Sequence, residues 1–447
     1  MSSPRPRVVI VGGGFAGLRA ARALRRTAVD VTLVDRKNHH VFQPLLYQVA
    51  TAGLNPGDIA YPIRAVVRRQ PATRVLMADV SAIDLAARRI ETDGGPIAYD
   101  YLIVASGATH SYFGRDDWAA FAPGLKSVED ALEIRKRVFL AYEAAEREVD
   151  PARQREWLTF AVVGGGPTGV ELAGALSEIA ATTLARDFRA VDPMARRVLL
   201  LEGTDRILPS FPAHLSEKAQ RQLERLGVEV RPSSQVTAID ALGLEVGAER
   251  IAARTVLWAA GVAASPLGRT LGVPLDRSGR VVADADLTVP GHRDVFVLGD
   301  LAAAVSRGAP VPGLASAAIQ GGDHAARCIA ADLAGAARPP FRYRDKGTLA
   351  TIGRSKAVAD LGKLEFSGFI AWVFWWAVHI ALLIGFRSRF FVMLSWMWSY
   401  LTFQRGARLI TGRIPALPAW QTASAAPDAA AATAAAAAAD ARQVAGG

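Results

Sequence analysis

The sequence predicts an α/β fold: two Rossmann-like dinucleotide-binding domains followed by a C-terminal amphipathic helical membrane anchor. Three features point there. A unit of strand, Gly-rich turn, helix and second strand occurs twice. The strands of both units are unbroken apolar runs, as expected of parallel strands covered on both faces. Near the C-terminus, an apolar stretch rich in Trp is flanked by arginines, the pattern of a segment seated at a lipid–water interface.

The first unit opens with the buried-strand run Arg7-Val8-Val9-Ile10-Val11, passes a glycine cluster and continues into a helix over 15–26 and a strand over 31–35. The second opens with Phe160-Ala161-Val162-Val163, followed by a helix over 168–184 and a strand over 197–202. Strands over 101–104 and 255–258 complete the two sheets, and 294–298 returns the chain to the first. The domains expected are therefore 1–115 with 291–345, then 116–290, then anchoring helices over 346–412. An Ala-rich tail over 413–447, with no large apolar side chain beyond Thr422 except Val444, is expected to stay disordered.

At 447 residues and 51% hydrophobic content, the chain can bury more than one core. Its single cysteine, Cys328, excludes a disulfide framework, a Cys-rich zinc site and a Cys-x-x-Cys redox pair, and no metal site is predicted. The net charge of +10 suits nucleic acid or an anionic membrane. Arg387, Arg389, Arg405, Arg408 and Arg413 crowd around the most apolar region, which favours anionic lipid, and no nucleic-acid motif is present. The N-terminal residues carry no signal-peptide pattern, so a start in the cytoplasm is expected.

Both Gly-rich turns carry chemistry. The first reads Gly12-Gly13-Gly14-Phe15-Ala16-Gly17. In a G-x-G-x-x-G, the first Gly turns the chain, the second admits a pyrophosphate to the backbone, and the third lets helix and strand pack closely. The helix N-terminus then offers free N–H groups to phosphate, and Asp35 stands where a carboxylate accepts ribose hydroxyls. The second turn, Gly164-Gly165-Gly166-Pro167-Thr168-Gly169, has Glu202 as its acid, displaced by an insertion or longer helix over 177–196. An acid there favours NADH over NADPH, since it repels a 2′-phosphate. Two such sites predict electron transfer between a tightly held flavin and a transient nicotinamide.

These residues resemble the type II NADH:quinone oxidoreductases, single-subunit members of the two-dinucleotide-domain flavoproteins. The resemblance runs over about 7–412 and is most specific in Asp35-Arg36-Lys37-Asn38-His39-His40-Val41-Phe42-Gln43-Pro44-Leu45-Leu46-Tyr47-Gln48-Val49-Ala50. It is carried also by Ala105-Ser106-Gly107-Ala108, Val163 to Glu171, Leu257 to Gly261 and Gly299-Asp300. It implies FAD, NADH and a quinone as cofactor and substrates. FAD would be held by Gly12, Gly13, Gly14, Phe15, Ala16, Gly17, Asp35, Arg36, Val80, Ser106, Gly107, Asp300, Ala318, Ile319 and Lys363. NADH would be held by Gly164, Gly166, Gly169 and Glu202. Glu171 would stand beside the nicotinamide as the catalytic carboxylate, its plainer role being that of a first-turn helix carboxylate. Asp300 could equally cap a helix, and Lys363 could be a surface lysine.

For the quinone, the resemblance points to Gln43, Pro44, Leu45, Ser316 and Gln320. Where the family commonly has Ala-Gln-x-Ala-x-Gln, this chain has Ala315-Ser316-Ala317-Ala318-Ile319-Gln320; the Ser replacing the first Gln has a shorter reach. Residues 368–386 are about long enough to span a bilayer, whereas the resemblance favours two helices lying in one leaflet at the cytoplasmic face. No chain of ionisable residues suggests proton pumping. A disulfide reductase or sulfide:quinone chemistry is excluded by the lone cysteine. An NAD(H) sensor or membrane interaction protein with an inert flavin fold is the alternative, and a homodimer is left open.

Overall fold

The computed structural model describes residues 4–384, 386–402 and 407–414; most of the Ala-rich tail lies outside them. The first unit begins with β1 (Arg7–Val11), α1 (Phe15–Ala23), β2 (Asp30–Asp35) and α2 (Leu46–Ala50), then β3 (Thr73–Met77) and β4 (Tyr101–Val104). After α3 (Val128–Arg147), the second unit supplies β5 (Thr159–Val163), α4 (Pro167–Glu178) and β6 (Arg197–Leu201). It continues with α5 (Ala213–Glu224), β7 (Val228–Arg231) and β8 (Thr255–Trp258). The chain returns through β9 (Thr288–Val289), β10 (His292–Val297) and α6 (Ala315–Leu333). It ends in the strands β11 (Thr348–Gly353), β12 (Lys356–Asp360) and β13 (Glu365–Ser367), and in the helices α7 (Phe369–Leu382) and α8 (Phe386–Thr402).

The first sheet has the order β9-β10-β4-β1-β2-β3 and the second β7-β6-β5-β8. Apart from the β9–β10 pair, every pairing in them is parallel. Val8, Ile10, Leu33, Leu102, Ile103 and Phe296 are fully buried in one sheet, and Phe160, Ala161, Leu199 and Leu200 in the other. That is why these strands read as continuous apolar runs.

Several boundaries differ from the expectation. The helix over 15–26 tightens into a 3₁₀ turn at Leu24–Arg26. The one over 168–184 gives way at Ile179–Thr183 to a π-helical turn and then to 3₁₀ turns; this is the extra length that carries Glu202 away from its turn. The return begins before residue 291. Leu267, Leu271, Val281 and Leu287 already pack in the first core, and β9 is an edge strand of the first sheet. Apolar burial placed that boundary, and the turn-rich sequence there hides it.

The C-terminal unit is also more than helices. β11, β12 and β13 form an antiparallel sheet that sits on α4, where a Cβ on Gly174 would lie 1.8 Å from the Ile352 carbonyl oxygen. Only a glycine admits that approach. The apolar stretch 368–386 is broken rather than continuous: α7 has 14 residues, ends at an extended Leu383, and α8 follows. Among the described residues, no helix is long and apolar enough to cross a membrane. Nor is α7 amphipathic in the usual sense. Ala371 and Trp375 face the protein, while Phe369, Ile370 and Val373 are exposed, so apolar residues cover both sides.

Candidate active site

Each nucleotide turn is built by the same backbone solution. Gly12 has φ 102° and Gly164 φ 110°, a left-handed conformation that a side chain resists. A Cβ there would meet the Ala105 carbonyl oxygen at 2.4 Å, or the Ala259 carbonyl carbon at 2.6 Å. A Cβ on Gly17 would stand 1.9 Å from the Gly12 oxygen, and one on Gly169 1.8 Å from the Gly164 oxygen; here the third glycine lets helix and turn touch. The middle glycines, Gly14 and Gly166, have open space in front of them, as backbone presented to a phosphate requires.

Both acids are fastened alike. The Gly13 N–H donates to Asp35 Oδ2 at 2.6 Å and the Lys37 N–H to Oδ1 at 2.7 Å. The Gly165 N–H donates to Glu202 Oε2 at 2.6 Å and the Thr204 N–H to Oε1 at 2.7 Å. Each carboxylate thus stitches the glycine between the first two motif glycines, Gly13 or Gly165, to the end of the neighbouring strand. Charge-assisted bonds of this kind are among the stronger ones, and lone pairs remain on both carboxylates for hydroxyls.

Two cavities lie in the described structure, one lined by Gly299 and Asp300 and the other by Glu171 of α4. One, of about 410 Å³, is lined by Gln43, Ala108, Lys126, Gly299, Asp300, Ala317, Gly321 and Arg280, among others. Nearby, the Ser106 hydroxyl is buried with no hydrogen-bond partner among the described residues. An orphaned buried hydroxyl, the open face of Gly14 and a cavity ending at Asp300 together fit an extended dinucleotide with ribityl hydroxyls. Gly107 has φ 70°, and its carbonyl accepts from the Ser265 N–H at 3.0 Å. Ala318 is buried against Gly299, Ile319 follows it half-buried, Phe15 packs on the first core and Ala16 is buried in it. Val80 lies half-buried at the start of the strand Val80–Asp84, and Arg36 is exposed.

The other cavity, of about 340 Å³, is apolar and lined by Tyr47, Gln48, Glu171, Glu178, Trp372, Trp375, Trp376 and Trp396. Burial pushes the Glu171 carboxyl up to about 8, against one long backbone bond from the Thr351 N–H at 3.4 Å. At neutral pH it is therefore largely a protonated acid. Gln48 is clamped: its amide donates to the Tyr47 hydroxyl at 2.8 Å and accepts from the Trp396 indole at 2.6 Å. The buried Trp375 indole N–H has no hydrogen-bond partner among the described residues.

An aromatic path joins the first turn to this cavity. Phe15 contacts His40 and Phe42 with ring centroids 5.0 and 5.8 Å apart. Phe42 contacts His379 at 6.0 Å, and His379 stacks on Trp375 at 4.2 Å. Both histidines are neutral, because burial lowers them, His379 to about 4. The Nδ1–H groups accordingly donate to the Gly13 and Trp375 carbonyls at 3.0 and 2.7 Å.

Of the five residues expected at the quinone, Gln43 alone lines one of these two cavities. Gln43 lines the larger cavity and bonds the Lys126 carbonyl at 3.4 Å. Pro44 is half-buried and Leu45 is a core residue. The Ser316 and Tyr343 hydroxyls are 3.2 Å apart, and Gln320 makes two bonds to the Arg344 backbone, at 2.9 and 3.0 Å. Lys363 stands exposed in the turn before β13, whose Glu365 pairs with His214 of α5 at 2.9 Å; it lines neither cavity. Sequence reasoning passed over Tyr47, Gln48 and His40 although they lie inside the most specific stretch. It assigned Trp375 and Trp396 only to lipid.

Two dinucleotide turns on two parallel sheets, each with its acid, define an oxidoreductase that joins one nucleotide to another. The Pyridine nucleotide-disulphide oxidoreductase family matches residues 6–322, and the NDH2 C-terminal domain matches 346–405. The chain is 48% identical over 423 residues to the Mycobacterium tuberculosis type II NADH:quinone oxidoreductase Ndh, covering 91% of this chain and 90% of that one. It is 32% identical to an internal alternative NAD(P)H-ubiquinone oxidoreductase of Arabidopsis thaliana, over 89% of this chain and 84% of the relative. The Plasmodium falciparum NDH2, solved with NADH, shares the fold at a TM-score of 0.81 and 20% identity, over 88% of this chain and 98% of that one. This chain belongs to the type II NADH:quinone oxidoreductases. Despite the word disulphide in the broader family's description, Cys328 is buried beside His324 with its thiol raised to about 11 by burial, and no second cysteine exists.

Proposed function

We propose that the protein moves hydride equivalents from NADH, through FAD held at the first turn, to a quinone drawn from the membrane, without pumping protons. FAD, when bound, supplies the two-electron chemistry that links the two substrates. The chain supplies position. Gly12 to Gly17, Asp35, Ser106 and Asp300 hold the dinucleotide, and Gly164, Gly166, Gly169 and Glu202 bind NADH.

The observation that carries the reading is the placement of Glu171. It sits just past the first turn of α4, close behind the NADH turn, and opens into the cavity walled by the Trp residues of α7 and α8. A neutral carboxyl at that point can give a proton to a quinone oxygen, a transfer for which its value near 8 is suited. Tyr47 and Gln48 supply hydrogen-bonding groups on the same wall, and the indoles of Trp372, Trp375, Trp376 and Trp396 shape a slot for a flat ring.

Membrane attachment rests on the outer faces of α7 and α8. Ile370 is 72% exposed, Trp398 61%, Phe369 56% and Met397 55%, an apolar surface too continuous to face water. The two helices lie in one leaflet on the cytoplasmic side, where NADH is found, with anionic lipid matching the nearby arginines. The cavity then opens to the acyl layer, while the second turn stays in water.

The test is optical. The purified full chain is yellow, bleaches with NADH in preference to NADPH, and recovers its colour when a quinone is added. A colourless protein that takes up no FAD overturns the reading. A yellow one that bleaches without recovering favours the sensor alternative.

A further inference from the structure

The larger cavity holds a charge pattern that is unfinished. Three of its lining side chains are ionic: Lys126, Arg280 and Asp300. Arg280 is already paired, its Nε 2.7 Å from Asp276 Oδ2. Among the described residues, neither Lys126 nor Asp300 makes an ion pair, although they line the same space.

Lys126 cannot easily turn elsewhere, because its backbone is locked on both sides. Its N–H donates to Asp130 Oδ2 at 2.9 Å, and its carbonyl accepts from Gln43 Nε2 at 3.4 Å. The next residue, Ser127, caps α3 and accepts from the Asp130 N–H at 3.1 Å in a reciprocal capping box. Burial lowers the ammonium, while the Asp300 and Asp130 carboxylates act to raise it. A half-buried ammonium without a partner is costly unless an anion seats beside it.

The two groups ask for different ends of one ligand. A carboxylate only accepts and suits hydroxyls; an ammonium only donates and suits negative charge. A flavin dinucleotide offers both, with hydroxyls on its linker and negative charge on its diphosphate and on the ring once electrons arrive.

We infer that Lys126 is a flavin-binding residue whose ammonium pairs with the negative charge of the dinucleotide in the Asp300 cavity. The inference rests on the FAD reading given above, and neither glycine turn points to it. The substitutions Lys126→Met, which keeps the stem and removes the charge, and Lys126→Arg, which keeps the charge, test it in the full-length holoprotein. Two quantities are read besides activity: the FAD dissociation constant and the midpoint potential of the bound flavin.

Pairing with the diphosphate raises the FAD dissociation constant at least tenfold in Lys126→Met and leaves the potential in place. Pairing with the ring leaves FAD bound and makes the potential more negative by about 30 mV or more, a tenfold change for two electrons. Lys126→Arg recovers most of either loss. If both quantities stay within twofold of wild type, or only the melting temperature falls, Lys126 is structural and the inference is overturned. A wild-type protein that binds no FAD sinks the functional reading itself; a yellow wild type with an unchanged variant sinks only this one.

Discussion

The two nucleotide turns share a backbone and differ in what fastens them. In the second, the Gly165 carbonyl accepts from the Leu208 backbone N–H at 2.7 Å, so the turn is braced inside its own unit. In the first, the equivalent Gly13 carbonyl is held by the side chain of His40, whose ring leads through Phe15, Phe42 and His379 to Trp375 and the C-terminal helices. The acids differ too. Asp35 follows its glycine by 22 residues and Glu202 by 37. One turn is tied into the machinery around the cavity, and the other is self-contained. That contrast matches a resident cofactor on one side and a substrate that comes and goes on the other.

The sharpest way to break the comparison is to block each turn in the same manner. Gly17→Ala and Gly169→Ala both force a Cβ to within 2 Å of a carbonyl oxygen, so the helix must shift. Gly17→Ala is expected to yield colourless protein by absorption spectroscopy. Gly169→Ala is expected to keep its flavin and lose NADH-driven bleaching by at least tenfold. If both lose flavin equally, the turns are not assigned to separate nucleotides.

Next comes Glu171, at the junction of the two regions. Its ordinary value of 4.5 is raised to about 8 in the folded chain, so the folded state holds a proton that the unfolded chain releases between those values. Stability should therefore be fullest below pH 4.5, fall as pH rises to about 8, and then level off, by on the order of a few kcal/mol. Glu171→Gln should flatten that dependence in denaturant melts. It should also slow quinone-dependent turnover while FAD stays bound. Unchanged turnover would leave Glu171 as a structural carboxyl of α4, which lies past the first turn of that helix.

Smaller effects sharpen the contrast. Glu202→Gln removes the charge that repels a 2′-phosphate, and the ratio of kcat/KM for NADH over NADPH is expected to fall by about tenfold, roughly 1.4 kcal/mol. His40→Asn removes the brace on Gly13. It is expected to weaken FAD binding by about 1 kcal/mol with KM for NADH unchanged, whereas a shift confined to NADH would show the turns to be coupled in the opposite sense. Lys363→Ala, at an exposed turn away from both cavities, should change flavin content and stability by no more than about 0.5 kcal/mol.

Much of the fold is legible in the chain because it is encoded locally. A parallel strand covered on both faces needs an unbroken apolar run, and a nucleotide turn needs glycine where a Cβ would strike a carbonyl, so β1, β5, Gly12 to Gly17 and Gly164 to Gly169 announce themselves. The same locality fixed Asp35 and Glu202 as the acids. Tertiary structure alone decided the rest. Tyr47, Gln48, Glu171 and Trp396 meet at one cavity although they come from three separate parts of the chain, and only packing brings them together. Gln320, which looks free to touch a quinone, is instead held by the Arg344 backbone. The apolar stretch 368–386 has the composition of a membrane span, yet it breaks at Leu383, and both Trp375 and Leu383 are buried against the protein. Hydropathy records how much a side chain avoids water. It does not record whether lipid or protein will cover it, and that choice is made only when the distant surfaces exist.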